Sequence, residues 1–312
     1  MATVLDLTSS LGGAYAARLL SAAGCDVTRA APPGGHGLRR WSASGSSMPT
    51  GGDGALFRWI AGGQSSLVVG DTADLDAPLE AADAVLWSPG VLADLDAVRA
   101  HAALVVTVTP FGISGPWAAR PATELTLQAM SGGPALRGSR DWPPVTAGGQ
   151  HGEYMVGVFA AVATLLALRQ RALGGPGGLV DVSALESVIM TQLFNPITMQ
   201  TMVAGVRPRR ARANVADVVP TKDGFVGFAV VNRLQHWHDF CSMIGRQEWA
   251  DDPTLHAVVS RTQRAAELNP VIWAWAAERT TAEIVELATL WRVPAIEVGH
   301  GASIPVMDHF AE

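Results

Sequence analysis

Lysine is almost missing from this chain: Lys222 stands alone against 21 arginines among 312 residues. Any phosphate the protein holds must then be met by arginine forks or backbone N–H groups. Charge of either sign is scarce, at 16% of residues, and the balance is acidic, with net charge −6 and a pI near 5.7. That leaves no electrostatic footprint for nucleic acid. The two cysteines, Cys25 and Cys241, are too few for a disulfide framework or a cysteine-rich zinc site, and they read as core residues. The opening MATVLDLTSS lacks the basic stretch and apolar core of a signal peptide. No GxGxxG follows the first strand, and neither a phosphate-binding GxxxxGK[ST] nor a GxSxG elbow occurs. His236 and His238 are two apart, so a helix would point them to different sides, whereas metal-ligating pairs use i, i+4 spacing. RPRRAR, residues 207–212, reads either as a solvated loop or as a phosphate patch.

What the chain has is apolar substance. At 48% hydrophobic it can fill a large core, and its length fits one big or two modest domains. Short β-type runs at Thr3–Leu7, Asp26–Arg29, Ser66–Val69, Ala84–Trp87 and Leu104–Val108 alternate with helical stretches, the first running through Tyr15, Leu19 and Leu20 to Gly24. A Ser/Gly turn is expected between the first strand and that helix, and a loop over 36–54. This rhythm predicts an α/β fold: a doubly wound, Rossmann-like parallel sheet over residues 1–200. After the GGPGG stop at 174–178, Leu179–Val182 reads as strand and Ala184–Met190 as helix. The hairpin VVPTKDGFVGFAVV, 218–231, and helices near 233–244, 261–278 and 281–291 lack the βαβ rhythm. They predict a smaller mixed α+β domain over 201–312.

The stretch GGQHGEYMVGVFAA, 148–161, concentrates the chemistry. It sets Glu153 at the head of a helix from about 153 to 173 whose apolar residues lie on all sides, as in a helix inside the fold. Its uncharged run, Tyr154–Leu168, is shorter than the roughly 20 residues a bilayer needs, so no membrane partner is expected. Two readings of Glu153 stand side by side. A carboxylate in the first turn is stabilised by the helix dipole and needs no further purpose. Alternatively, unpaired N–H groups, the Gly148, Gly149 and Gly152 backbone and apolar walls would make it a poorly solvated, ionised nucleophile.

A resemblance separates these readings. VLDLTSSLGGAYAARLLSAAGCDV, APPGGHGLRR, ADAVLWSPG, ALVVTVTPFGISGPW, LQAMSGG, PPVTAGGQHGEYMVG, GGPGGLVDVSALES, TKDGFVGFAV and RTTAEIVELATLWRVPAIEV occur in that order. Together they resemble the family III CoA-transferases, the group that also contains carnitine-CoA transferase, bile-acid enzymes and α-methylacyl-CoA racemase. The resemblance puts the family's catalytic carboxylate at Glu153, four residues before Gly157. It implies attack on an acyl-CoA thioester, a mixed anhydride, an enzyme–CoA thioester and transfer of CoA to an acceptor carboxylic acid. An N–H near Gly152 would hold the oxyanion. It implies no cofactor beyond the CoA thioester substrate, a cytoplasmic enzyme, and an interlinked homodimer or a heteromer with a paralogue.

The resemblance also marks departures. Glutamate replaces the family's aspartate. Gln64 stands where a loop lysine meets CoA phosphate, Ala31 where an acidic residue precedes the prolines, and Leu11 where some transferases carry glutamine. Arg39, Arg40 and Arg120 remain as phosphate contacts, with Leu11, Gln64, Ser88 and Gly152 beside the CoA ester. Racemases of the group need a histidine shortly before an aspartate, where this chain has Thr123-Glu124, so racemisation, with Glu124 or His151 as partner acid, is disfavoured. Family members run on past the position of VMDHFAE and return to the first domain, a segment missing here. A non-catalytic subunit beside an active paralogue is the rival reading.

Overall fold

The computed structural model describes residues 1–48, 51–90, 92–134, 137, 143–192, 215–229 and 233–310. The expected domain boundary at 200/201 and the arginines of 207–212 lie outside the described residues. Those that are described form two compact units, one up to residue 192 and one from residue 215.

The first unit is built on strands β1 (Thr3–Leu7), β2 (Asp26–Ala31), β3 (Ser65–Val68), β4 (Ala84–Trp87), β5 (Leu104–Thr109) and β6 (Gly178–Ser183). They form one sheet in the order β3-β2-β1-β4-β5-β6, parallel throughout. Helices α1 (Leu11–Ala22), α2 (Ala55–Ile60), α3 (Asp76–Ala81), α4 (Leu95–His101), α5 (Glu124–Met130), α6 (His151–Ala172) and α7 (Ala184–Gln192) accompany it. Every residue of β4 and β5 is buried, which is why those strands read as unbroken apolar runs. The strand order reverses between β1 and β4, and in open sheets of this kind ligands bind at the carboxyl ends of the strands at that switch point.

Two polar devices fix the end of β1. Asp6 and Arg29 are register partners on β1 and β2 and form an ion pair of 3.3 Å, with 0% and 4% of their side chains exposed. Asp6 also accepts from the Thr8 backbone N–H at 2.9 Å and from its hydroxyl at 2.7 Å. The loop after β1 is thereby tied to the sheet before α1 begins.

The expected Ser/Gly turn is instead a helix start. Ser10 caps α1 by accepting from the Gly13 N–H, and Gly12 and Gly13 are helical residues. They are glycine because of close approach: a Cβ on Gly13 would sit 2.2 Å from Thr8 Oγ1. α1 does end at a left-handed glycine, Gly24, with φ 91°. The long helix also departs from expectation. Its inner face, Gly152, Val156, Gly157, Ala160, Ala161, Thr164 and Ala167, is buried, but Val158, Phe159, Val162, Leu165 and Leu166 are exposed, Leu166 to 66%. α6 is thus one-sided within this chain. By length and composition it is the one described helix able to cross a membrane, yet its buried face belongs to the core of this unit. At Gly157 a Cβ would lie 2.7 Å from Gly12 O and 2.9 Å from Tyr15 Cβ, so α1 and α6 approach too closely there for a side chain on Gly157.

The second unit pairs β7 (Val218–Pro220), β8 (Phe225–Phe228) and β9 (Ala295–Glu297) in an antiparallel sheet of that order. Residues 230 and 231 of the expected 218–231 hairpin lie outside the described residues, and the sequence reading gives no counterpart of β9. Helices α8 (Leu234–Met243), α9 (Gln247–Ala250), α10 (Val258–Gln263), α11 (Ala265–Ala277) and α12 (Thr281–Leu290) surround a core of Trp237, Phe240, Leu268, Ile272 and Ile284. The expected helix over 261–278 is two helices, broken at Arg264. Cys241 is buried here, its thiol pushed up to about 12 by desolvation.

Candidate active site

The carboxylate at the head of α6 points at the head of α1. Glu153 Oε2 accepts from the Gly12 N–H at 2.6 Å, and Oε1 takes no hydrogen bond among the described residues. Gly12 belongs to the first turn of the helix that follows β1, at the switch point. In a dinucleotide-binding fold the N–H groups there would face a phosphate. Here one of them holds a carboxylate of the protein itself, and Ser10 holds the next. TSSLGGAY, which lacks the GxGxxG pattern, sets two backbone N–H groups against side chains of the protein, Glu153 and Ser10.

The lead-in explains how Glu153 is aimed. Gly149 and Gln150 both adopt left-handed backbone, with φ 71° and 61°, and the chain turns straight into α6. A left-handed N-cap cannot supply the usual side-chain bond, and Gln150 supplies none. The orphan donors are met from another helix. Glu124 Oε1 accepts from the Gly152 N–H at 2.7 Å and Oε2 from the Glu153 N–H at 3.0 Å. Glu124 opens α5, itself capped by Thr123. One turn on, Gln128 is 2% exposed; its Nε2 donates to Glu124 Oε1 at 2.6 Å and to Ala147 O at 2.9 Å. Gln128 Oε1 in turn accepts from the Ala147 N–H at 2.8 Å. The expected oxyanion role of the Gly152 N–H conflicts with this geometry, because that donor is already committed to Glu124.

Burial pushes the Glu153 carboxyl above the usual glutamate range; the Gly12 N–H pulls it down, and the nearby Glu124 pushes it up. The result is a carboxylate with one oxygen oriented, one open and a raised affinity for protons. Such a group is more nucleophilic than a solvated one when ionised. Helix dipole and nucleophile are not exclusive here. The first-turn position stabilises the charge that the burial disfavours.

The other expected residues are distributed unevenly around this centre. Leu11 is buried directly before Gly12, in a small cluster with Ala14, Phe57 and Ile60. Ser88 directly follows β4, and its Oγ accepts from the Ser9 N–H at 2.9 Å, which bridges the switch point. Arg39 and Arg40 lie on a short 3₁₀ turn, Gly37–Arg40, held to the β1 loop through His36 Nε2 and Thr8 O at 3.0 Å. Arg39 is committed to Asp53 at 2.8 Å and to the face of Phe57, while Arg40 is exposed and makes no ion pair among the described residues. Gln64 donates to Ile60 O, and Arg120 stacks over Trp117. No contact among the described residues ties either of these two to Glu153. The sequence pattern does not mark Gln128, and it marks Glu124 only as a partner acid. Their i, i+4 spacing on a recognised α5 would have been the signal. Among the described residues no three His, Cys, Asp or Glu side chains gather as a metal site would need.

Comparison with known proteins places the whole chain in one family. The sequence model of CoA-transferase family III matches residues 2–312. Succinyl-CoA–D-citramalate CoA-transferase of Chloroflexus aurantiacus is 28% identical over 94% of this chain and 76% of its own. Succinyl-CoA:(R)-benzylsuccinate CoA-transferase subunit BbsE of Thauera aromatica is 30% identical over 96% of this chain and 78% of its own. A CAIB/BAIF family protein from Brucella suis shares the fold, with a TM-score of 0.83 at 21% identity over 99% of this chain and 86% of that one.

Proposed function

Because the chain belongs to CoA-transferase family III, we propose that it moves CoA from an acyl-CoA to a carboxylic acid through Glu153. The observation that carries the reading is the Glu153 carboxylate itself, with Oε2 on the Gly12 N–H at 2.6 Å and Oε1 open. Oε1 attacks the thioester carbonyl and CoA thiolate leaves, giving an acyl–glutamyl anhydride. The thiolate then attacks the glutamyl carbonyl, releasing the donor acid and leaving a glutamyl-CoA thioester. An acceptor carboxylate displaces CoA from that thioester, and the thiolate returns to the acceptor's own carbonyl. Acyl-CoA and free Glu153 result, with no redox change and no group needed beyond CoA. Arg40 and Arg39 supply the phosphate contacts that a lysine-poor chain must draw from arginine.

Succinyl-CoA is the proposed donor, since relatives named as succinyl-CoA transferases include those acting with D-citramalate and with mesaconate. The test mixes the protein with succinyl-CoA and a panel of small carboxylic acids and follows new CoA esters by mass. At least one ester should form, and Glu153→Gln should abolish it. Full transfer by Glu153→Gln would overturn the reading. Racemisation is less well supported, because both oxygens of Glu124 accept backbone N–H groups and are not poised to deliver a proton.

The exposed stripe of α6 supports a homodimer or a pairing with a paralogue. Two relatives are named as subunits, which keeps a heteromer in which this chain is the non-catalytic subunit beside an active paralogue as the second reading. Light scattering that gives a monomer at all concentrations would count against both.

A further inference from the structure

We infer that Glu124 is a positioning residue for Glu153, locked in turn by the buried Gln128, and that this pair sets the orientation of the nucleophile. The inference rests on the reading of Glu153 just given. Its ground is a continuous chain of short hydrogen bonds with no slack. Gln128 grips the backbone of Ala147 on both sides, N–H and C=O, at 2.8 and 2.9 Å. The same amide holds Glu124 Oε1 at 2.6 Å, and Glu124 closes on the Gly152 and Glu153 N–H groups at 2.7 and 3.0 Å. Both ends of the turn 147–153 are thereby clamped to one face of α5, across the left-handed pair Gly149 and Gln150. The helix that carries the nucleophile has no cap of its own, so its first turn is held where Glu124 puts it.

Space leaves Glu124 little freedom. A Cβ on Gly152 would lie 2.7 and 3.0 Å from its two oxygens and 3.1 Å from Val188, so the carboxylate is wedged against bare backbone. A glutamine cannot do this work. Its amide offers one acceptor, and its NH₂ would face an N–H donor-to-donor. The charge matters separately, because among the described residues Glu124 is the charged group that raises the affinity of Glu153 for protons. Orientation and charge therefore predict different readouts for different variants.

The experiment measures kcat, KM for the acyl-CoA, the pH profile and Tm for Glu124→Gln, Glu124→Asp and Gln128→Leu, with Glu153→Gln as control. Misplacing a reacting group by an ångström costs on the order of a hundredfold. Glu124→Gln should lose about that in kcat with KM changed less than about threefold, and its acid limb should move to lower pH as the neighbouring charge disappears. Gln128→Leu should lower kcat, by roughly tenfold, without moving the limb, since Glu124 keeps its charge. Glu124→Asp should retain the limb and recover part of the rate. Wild-type kcat and an unmoved limb in Glu124→Gln would overturn the inference. So would a loss of rate that only tracks a lower Tm in all three variants. If Glu124→Gln does not fold, Gln128→Leu at wild-type kcat overturns it alone. If Glu153→Gln keeps its activity, the proposed mechanism falls; if that control is dead while the other variants behave as wild type, only the positioning role falls.

Discussion

A methyl group added at Gly12 should damage the chemistry and leave the fold nearly intact. The Cβ of Gly12→Ala would stand 3.0 Å from both Glu153 O and Glu153 Oε2, and 3.1 Å from Val156 Cγ1. Backbone oxygen cannot rotate away, so α1 and α6 must part by a few tenths of an ångström. Overpacking of this kind costs about 1–3 kcal/mol. Ala in place of Gly inside a helix returns about 1 kcal/mol. The net loss of stability should be about 0–2 kcal/mol, which for a chain of this size is a fall in Tm of no more than ~8 °C. The same displacement stretches a hydrogen bond to a charged group, worth about 1.5–3 kcal/mol, and swings the nucleophile. At 1.36 kcal/mol per factor of ten, kcat/KM should drop roughly 10- to 150-fold. Gly13→Ala is the contrast. Its Cβ would fall 2.2 Å from Thr8 Oγ1 and 2.3 Å from Thr8 Cβ, inside the side chain that anchors Asp6. That variant should lose more stability than Gly12→Ala. Calorimetry and steady-state transfer assays on both decide the matter. Gly12→Ala with kcat/KM within twofold of wild type would refute the reasoning.

The acid limb of kcat/KM should lie above the ordinary glutamate range. Glu153 must be ionised to attack, burial raises its pKa, and activity is lost as pH falls through that raised value. The same group contributes to stability in the opposite sense: fully below its unfolded pKa, and lost as pH rises through the folded one. A limb at or below the usual value contradicts the burial argument. Arg40→Ala should raise KM for the CoA ester by about tenfold and flatten its salt dependence, whereas an unchanged KM would place the phosphates elsewhere. Asp6→Ala should leave Arg29 charged and buried at a cost of about 3–5 kcal/mol. Its kcat per folded molecule should hold, and an unchanged Tm would show that the pair is not structural.

The parallel sheet was legible because β1, β4 and β5 are buried apolar runs separated by helical periods, and no tertiary contact had to be known to see them. The site was legible in one residue. Glu153 stands out since a carboxylate at the head of an apolar helix breaks the pattern around it. The rest of the machinery is hidden for physical reasons. Gly12 and Gly13 look like a turn in sequence, but α1 needs them because α6 and Thr8 come so close. Glu124 and Gln128 act across 28 and 19 residues of chain, and α5 is too short for its period to register. The open face of α6 reads the same as its buried face in sequence, since both are apolar.

The central claim is that Glu153 accepts the acyl group. The direct measurement is to incubate the protein with succinyl-CoA, trap with hydroxylamine and map the product by peptide mass. Hydroxylamine converts an activated glutamyl carbonyl to a hydroxamate and leaves free carboxylates untouched. A hydroxamate on Glu153 that requires the acyl-CoA and disappears when an acceptor acid is added in excess is the predicted result. Transfer that proceeds at full rate with Glu153 unmodified would contradict the account.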